Sequence, residues 1–329
     1  MVTFSQFGAG RIGQIHAANI AARTDARLRY VVDVNRAAAE SLAGRYGASV
    51  ADTDAALNDP AVDAVLIASS TDTHADLIER AAKAGKAIFC EKPVDLDLKR
   101  VDACLAVAKQ AGVPLLIGFN RRFDPSFATL RQELAGGAIG RLELLAITSR
   151  DPGPPPLAYI KVSGGLFRDM MIHDFDLARW ILGEDPIEVY ATASCLVDPA
   201  IGQAGDIDTA VVVLRTKSGA IAQISNSRRA VYGYDQRVEA FGSGGMLRAE
   251  NRTPTTVERA TAGGVARDKP LHFFLERYAE AYKAELDHFL AALAKGEAPS
   301  PTGADGRAAL ALAEAALESS RTGRPVKPA

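Results

Sequence analysis

The feature that most constrains this chain is the run GAGRIG, Gly8 to Gly13, set between an apolar strand candidate and a helix candidate. It fits the pattern G-x-G-x-x-G, in which each glycine has a separate task. Gly8 permits a tight turn, Gly10 lets a pyrophosphate approach the backbone, and Gly13 lets the helix pack closely on the strand. Arg11 and Ile12 lie between the glycines at the start of the helix, whose N–H groups suit phosphate oxygens. Such a pattern alone is weak, since a glycine-rich turn can be purely structural. Asp33 adds context, because it follows the second strand candidate twenty residues after Gly13. A carboxylate there can accept hydrogen bonds from a ribose and repels a 2′-phosphate, which favours NAD over NADP. Arg36 nearby is the residue that could soften that choice.

The surrounding pattern agrees. Short apolar runs (TFSQF, LRYVV, AVLIAS, AIFC, PLLIG) alternate with amphipathic segments up to about residue 120. Repeated βαβ units predict a doubly wound parallel sheet covered by helices on both faces. Ser5 and Gln6 make the first strand less apolar than the rest. Ser69, Ser70 and Thr71 lie at the end of the run AVLIAS, where the ligand crevice of an open α/β sheet lies, so they are candidate cofactor contacts. Thr71 could equally cap the next helix. His74 follows near the crevice rim.

Beyond Arg141 the texture changes to longer alternating runs, LELLAITS, EVYATASCLV, DTAVVVLRT, GAIAQISNS and QRVEAFGS, which predict a mostly antiparallel open sheet. PGPPPLAYIKVSGG reads as a loop. Two long helices close the chain. The expected division is a nucleotide-binding domain over 1–120 and an α/β substrate and oligomerisation domain over 121–329, whose terminal helices could pack back on the first.

Bulk properties narrow the function. With 329 residues and a formal net charge of −2, the chain lacks the basic surface that nucleic acid requires. No apolar run approaches the roughly 18 residues of a membrane span. The N-terminus shows no secretion-signal pattern, and three scattered cysteines suit neither a disulfide framework nor a zinc cluster, which predicts a cytoplasmic setting.

The segment GGLFRDMMIHDFDLARW, Gly164 to Trp180, places Asp169, His173 and Asp176 at i, i+4 and i+7. On one continuous helix they fall within about 60° of each other. A metal site, a proton-handling pair and a helix-stabilising pair are all chemically open there. Histidine suits a general base, since its ordinary pKa of about 6.5 lies near working pH. No further ligand cluster appears, so no metal is expected. Asp174, a quarter-turn away from His173, reads as structural.

Taken with EKPV (Glu91 to Val94), these pieces resemble the glucose–fructose oxidoreductase/inositol dehydrogenase/rhizopine-catabolism family. FGAGRIG, VVDVN, ASSTDTHADLI, CEKPVDLDL and KVSGGLFRDMMIHDFD carry the likeness, and GFNRRFD with NSRRAVYGYDQR points to its inositol branch. The resemblance implies a homotetramer and a catalytic group of Lys92, Asp169 and His173, with Glu91 and Lys92 also beside the cofactor. It implies NAD-dependent oxidation of a hydroxyl of a cyclic polyol, myo-inositol foremost. Another inositol isomer (scyllo- or D-chiro-) or an aldose oxidised at C1 is the neighbouring alternative. A non-catalytic nucleotide-binding sensor is the alternative of another class. Polyol hydroxyls need individual partners, for which Asn120, Arg122, Asp151, Lys161 and Tyr234 are the candidates. Asp124 before Pro125 reads as a helix cap.

Overall fold

The short apolar runs pair as a parallel sheet. In the computed structural model, which describes residues 1–329, the strands are β1 (Val2–Phe7), β2 (Ala26–Val32), β3 (Ser49–Val50), β4 (Ala64–Ile67), β5 (Ala87–Glu91) and β6 (Leu115–Gly118). Their order is β3-β2-β1-β4-β5-β6, and every neighbouring pair is parallel. The order reverses at β1, so the crevice for a ligand opens at the carboxyl ends of β1 and β4. The helices Arg36–Tyr46 and Leu98–Ala111 start on the capping side chains of Asn35 and Asp97. Both stop at glycines in the left-handed region, Gly47 and Gly112.

The polar interruption of β1 has a purpose. Ser5 Oγ donates to the Ala56 carbonyl, and Gln6 Nε2 donates at 2.8 Å to the carbonyls of both Gly8 and Gly13. One fully buried amide thus fixes both ends of the glycine turn.

The chain forms two units, the first comprising Met1–Asn120 with Tyr282–Leu310, the second Arg121–Ala281 with Ala311–Ala329. The first unit therefore draws core residues from near the C-terminus. In helix Ala279–Lys295, Leu286, Phe289 and Leu290 join Phe4, Leu66 and Phe89 in one apolar cluster. The Phe289 ring lies 6.2 Å from that of Phe4 and 5.6 Å from that of Phe89.

The second unit is built on β7 (Leu142–Arg150), β8 (Pro186–Ser194), β9 (Thr209–Thr216), β10 (Ile221–Ser227), β11 (Asp235–Gly242) and β12 (Gly245–Ala249). Their order is β12-β11-β7-β10-β9-β8, antiparallel throughout except for β7 with β10. Alternation puts Leu145, Ile147, Val212, Leu214, Ala222 and Ile224 on the covered face. Helix Ile172–Leu182 packs on β7. The proline-rich segment, expected as a loop, contains one helical turn, Leu157–Ile160. It starts directly after Pro156, whose fixed φ suits a helix entry. Two buried charge pairs stand in this unit: Arg121 with Asp174, and Arg277 with Asp124, which also caps helix Pro125–Ala135.

Phe289→Ala should cost about 3–5 kcal/mol in urea unfolding, the usual result of removing a fully buried aromatic ring. A loss below about 1 kcal/mol would show that helix Ala279–Lys295 does not complete this core.

Candidate active site

In the first unit the glycine turn is a cradle that larger side chains would fill. Gly8 has φ +103°, and a Cβ there would stand 2.3 Å from the Ala68 carbonyl oxygen. A Cβ on Gly13 would stand 2.2 Å from the Gly8 carbonyl oxygen, so helix and strand touch backbone to backbone. Gly10 differs, with nothing within 4 Å of its Cβ position. It occupies the N-cap of helix Arg11–Ala21, where an approaching phosphate meets open N–H groups. Arg11 is exposed and Ile12 half-buried at that end.

Asp33 ties this turn to the end of β2. One carboxylate oxygen accepts from Ala9 N at 2.6 Å and the other from Asn35 N at 2.7 Å. A carboxylate offers about four acceptor positions, so capacity for ribose hydroxyls remains. Arg36 bonds Glu40 at 2.8 Å, which places an acid beside the one cation that could hold a 2′-phosphate.

At the end of β4, Ser69 Oγ lies 2.6 Å from Thr73 Oγ1, whose hydroxyl donates to the Ser70 carbonyl. Thr71 opens the short 3-10 turn Thr71–Thr73. His74 is buried: Nδ1 donates to the Pro93 carbonyl at 2.7 Å, and Nε2 lies 3.2 Å from that of Ser69. Burial lowers its pKa. Expected as a cofactor contact, His74 instead braces the β4 loop against the turn after β5. Glu91 is likewise engaged, with Oε1 2.7 Å from Nε2 of the fully buried His16. Lys92 follows it, half-buried. The buried Glu285 carboxyl is pushed well up by burial and by the charge of Glu91.

In the second unit the helix expected across Gly164–Trp180 is broken. It divides into Gly165–Asp169 and Ile172–Leu182. Both Met170 N and Met171 N donate to the Leu166 carbonyl, so one turn widens. Asp169 therefore ends one helix while His173 sits in the first turn of the next. Tyr159 donates its hydroxyl to Asp169 Oδ1 at 2.8 Å. Nη2 of the buried Arg228 lies 3.5 Å from Asp169 Oδ2. Asp176 is buried and gripped by both prongs of Arg122, at 2.8 and 2.5 Å. That pair turns Asp176 away from any metal role. It also gives Arg122, expected as a substrate contact, a structural partner.

The other candidates separate by environment. Asn120 is buried and Lys161 exposed. Tyr234 is a core ring, edge-on to Phe273 and Tyr278 at 6.2 and 6.0 Å, and burial pushes its hydroxyl well up. Tyr232 donates to Asp235 at 2.5 Å and accepts from Arg150. Asp151, near Asp169, is strongly perturbed. Burial raises it from 3.8 to about 7, the Arg228 charge opposes this, and Asp169 adds to it. Sequence reasoning passed over Arg228, Tyr159 and Arg121. Arg228 and Arg121 each sit in an Arg-Arg pair, and no periodicity tells which member turns inward.

A parallel sheet in 3-2-1-4-5-6 order, a glycine cradle at its switch point and a carboxylate ending β2 define a nicotinamide-dinucleotide oxidoreductase with a second α/β domain. The comparisons make the assignment specific: residues 4–119 match the oxidoreductase family with NAD-binding Rossmann fold, and residues 127–248 match the GFO/IDH/MocA C-terminal domain. The chain belongs to the GFO/IDH/MocA oxidoreductase family, and its cofactor is NAD. It is 56% identical to an inositol 2-dehydrogenase of Rhizobium meliloti (strain 1021), over 97% of this chain and 96% of that protein. A myo-inositol dehydrogenase structure from Corynebacterium glutamicum superposes with a TM-score of 0.96 at 46% identity, covering 99% of this chain and 98% of that one. A scyllo-inositol dehydrogenase from Lactobacillus casei, with bound NAD(H) and scyllo-inositol, gives a TM-score of 0.92 at 30% identity, covering 99% of each chain.

Asp151 yields a stability test. Its folded-state pKa lies above the unfolded value, so the native state binds the extra proton and loses stability as pH rises from about 4 to about 7. Asp151→Asn removes this term, so its Tm should gain on that of the parent protein across that window and level off above it. A Tm difference flat from pH 4 to 8 would contradict a raised Asp151.

Proposed function

We propose that this protein oxidises one secondary hydroxyl of a cyclic polyol with NAD, converting myo-inositol to its 2-keto product. The observation that carries this reading is the 56% identity to an inositol 2-dehydrogenase across nearly the whole of both chains, with the glycine cradle and the Asp169–His173 segment intact.

NAD, when bound, supplies the hydride acceptor. The glycine turn and Asp33 bind it; Ser69, Ser70 and Thr71 line the adjoining end of β4. His173 takes the proton from the reacting hydroxyl, a role suited to imidazole near neutral pH. Asp169 orients that imidazole, with its own carboxylate fixed by the Tyr159 hydroxyl. Lys92 donates to the reacting oxygen and stabilises the alkoxide charge that develops as the proton leaves. Asp151, half-buried near Asp169, and Lys161, on the exposed loop, pair with other substrate hydroxyls. Asn120, Arg122 and Tyr234 shape the site through their buried contacts.

We also propose a homotetramer assembled through the open face of the second sheet. On that face Ile221, Leu144, Phe241 and Met246 form a row across four strands, each exposed and directly opposite the next. An apolar row of this extent is unusual on a surface that stays in water. The cysteines make no disulfide, in keeping with a cytoplasmic setting.

Steady-state kinetics on inositol isomers and aldoses, with NAD and NADP, test the activity. The expected result is the highest kcat/KM for myo-inositol with NAD; a tenfold advantage for scyllo-inositol or glucose overturns the substrate. His173→Ala should lower kcat by about 100-fold or more with NAD affinity kept, and unchanged turnover removes it from the base role. Light scattering should return four times the chain mass, and Leu144→Asp with Phe241→Asp should lower it.

A further inference from the structure

The sequence singles out NSRRAVYGYDQR, yet the proposed chemistry leaves its first arginine without a task. Arg228 follows β10 and is 1% exposed, among the largest fully buried side chains of the protein. Its backbone N–H donates to the Asp208 carbonyl at 2.8 Å, which fixes where the side chain starts. A guanidinium stays protonated at any working pH, so burying it demands compensating negative charge. Two carboxylates stand opposite the same nitrogen: Nη2 lies 3.5 Å from Asp169 Oδ2 and 3.6 Å from Asp206 Oδ2. Both separations exceed ordinary hydrogen-bond length, so the attraction is coulombic and shared between the acids. Asp206 is itself anchored, because its Oδ1 accepts from Leu166 N at 3.0 Å in the short helix that ends at Asp169.

We propose that Arg228 is a positioning residue for the reaction: a buried cation, shared between Asp169 and Asp206, that holds the Asp169 carboxylate in place. The proposal rests on the reading of Asp169 as the residue that orients His173. Other groups face Asp169 as well. The Tyr159 hydroxyl donates to Oδ1, Asp151 contributes a second acid, and the Arg121–Asp174 pair lies beyond Asp151. With Asp151 and Asp206 both nearby, Asp169 sits in an acid-rich pocket of the second unit. Arg228 is a buried cation with an ion-pair approach to it. The shared geometry has a sharp consequence: weakening one partner of Arg228 strengthens its hold on the other.

The test follows the Asp169 carboxyl carbon by NMR in protein labelled with 13C-aspartate, the signal assigned with Asp169→Asn. Arg228→Gln should raise the Asp169 titration midpoint, and Asp206→Asn should lower it, because the cation then serves one acid fewer. Arg228→Lys keeps the charge and should stay close to the parent. In kinetics, Arg228→Gln should lower kcat at neutral pH about tenfold or more, with NAD affinity unchanged and the acid limb of the pH profile moved upward. A midpoint that is unmoved in both variants, or moves the same way in both, overturns the proposal. If Arg228→Gln does not fold, Asp206→Asn and Arg228→Lys decide by the same titration. A parent protein inactive on every inositol refutes the substrate reading alone, since the titration still reports on Arg228.

Discussion

A buried amide holds the nucleotide half of this protein together. Gln6 donates to the carbonyls at both ends of the glycine turn, so the loop conformation is set before any ligand arrives. Gly8 and Gly13 then let backbone meet backbone at distances no side chain tolerates. Asp33 closes the arrangement from β2. The result is preorganised: phosphate-binding N–H groups are aimed by the fold itself, and no ordering cost falls on the binding step.

The second unit solves the opposite problem, that of burying charge. Arg121 with Asp174, Arg277 with Asp124, and Arg122 with Asp176 are each matched one to one. Each pair costs desolvation, and removing one partner leaves a charge stranded. Arg228 departs from this rule, standing between two acids at longer range. Beside Asp169, burial, with the neighbouring carboxylate adding to it, lifts Asp151 to about 7. Strict pairing thus frames the region, and looser electrostatics occupy its centre.

The sheet of the first unit was legible because its signals are local: apolar runs, capping residues and a glycine spacing whose members each carry a steric task. The alternating strands of the second unit were readable for the same reason. What escaped was set by contacts distant in sequence. Periodicity placed Asp169 and His173 on one helical face, whereas both Met170 and Met171 bond to Leu166 and split the helix. Arg121 and Arg122 are neighbours of one type, and only the fold sends the first to Asp174 and the second to Asp176. His74 and Glu91 looked like ligand contacts because they border the crevice. Their bonds to Pro93 and His16 follow from a three-dimensional neighbourhood that no spacing encodes.

The return of Tyr282–Leu310 to the first unit bears on how the chain is made. Domains tend to fold as units during synthesis, amino-terminal ones first. Here the amino-terminal sheet leaves the ribosome long before Leu286, Phe289 and Leu290 exist to cover Phe4 and Phe89. The nascent sheet must wait with that patch uncovered while more than half of the polypeptide is still being translated. A chain stalled or truncated before Phe289 is therefore a sticky species, and helix Ala279–Lys295 acts as a late seal on that core.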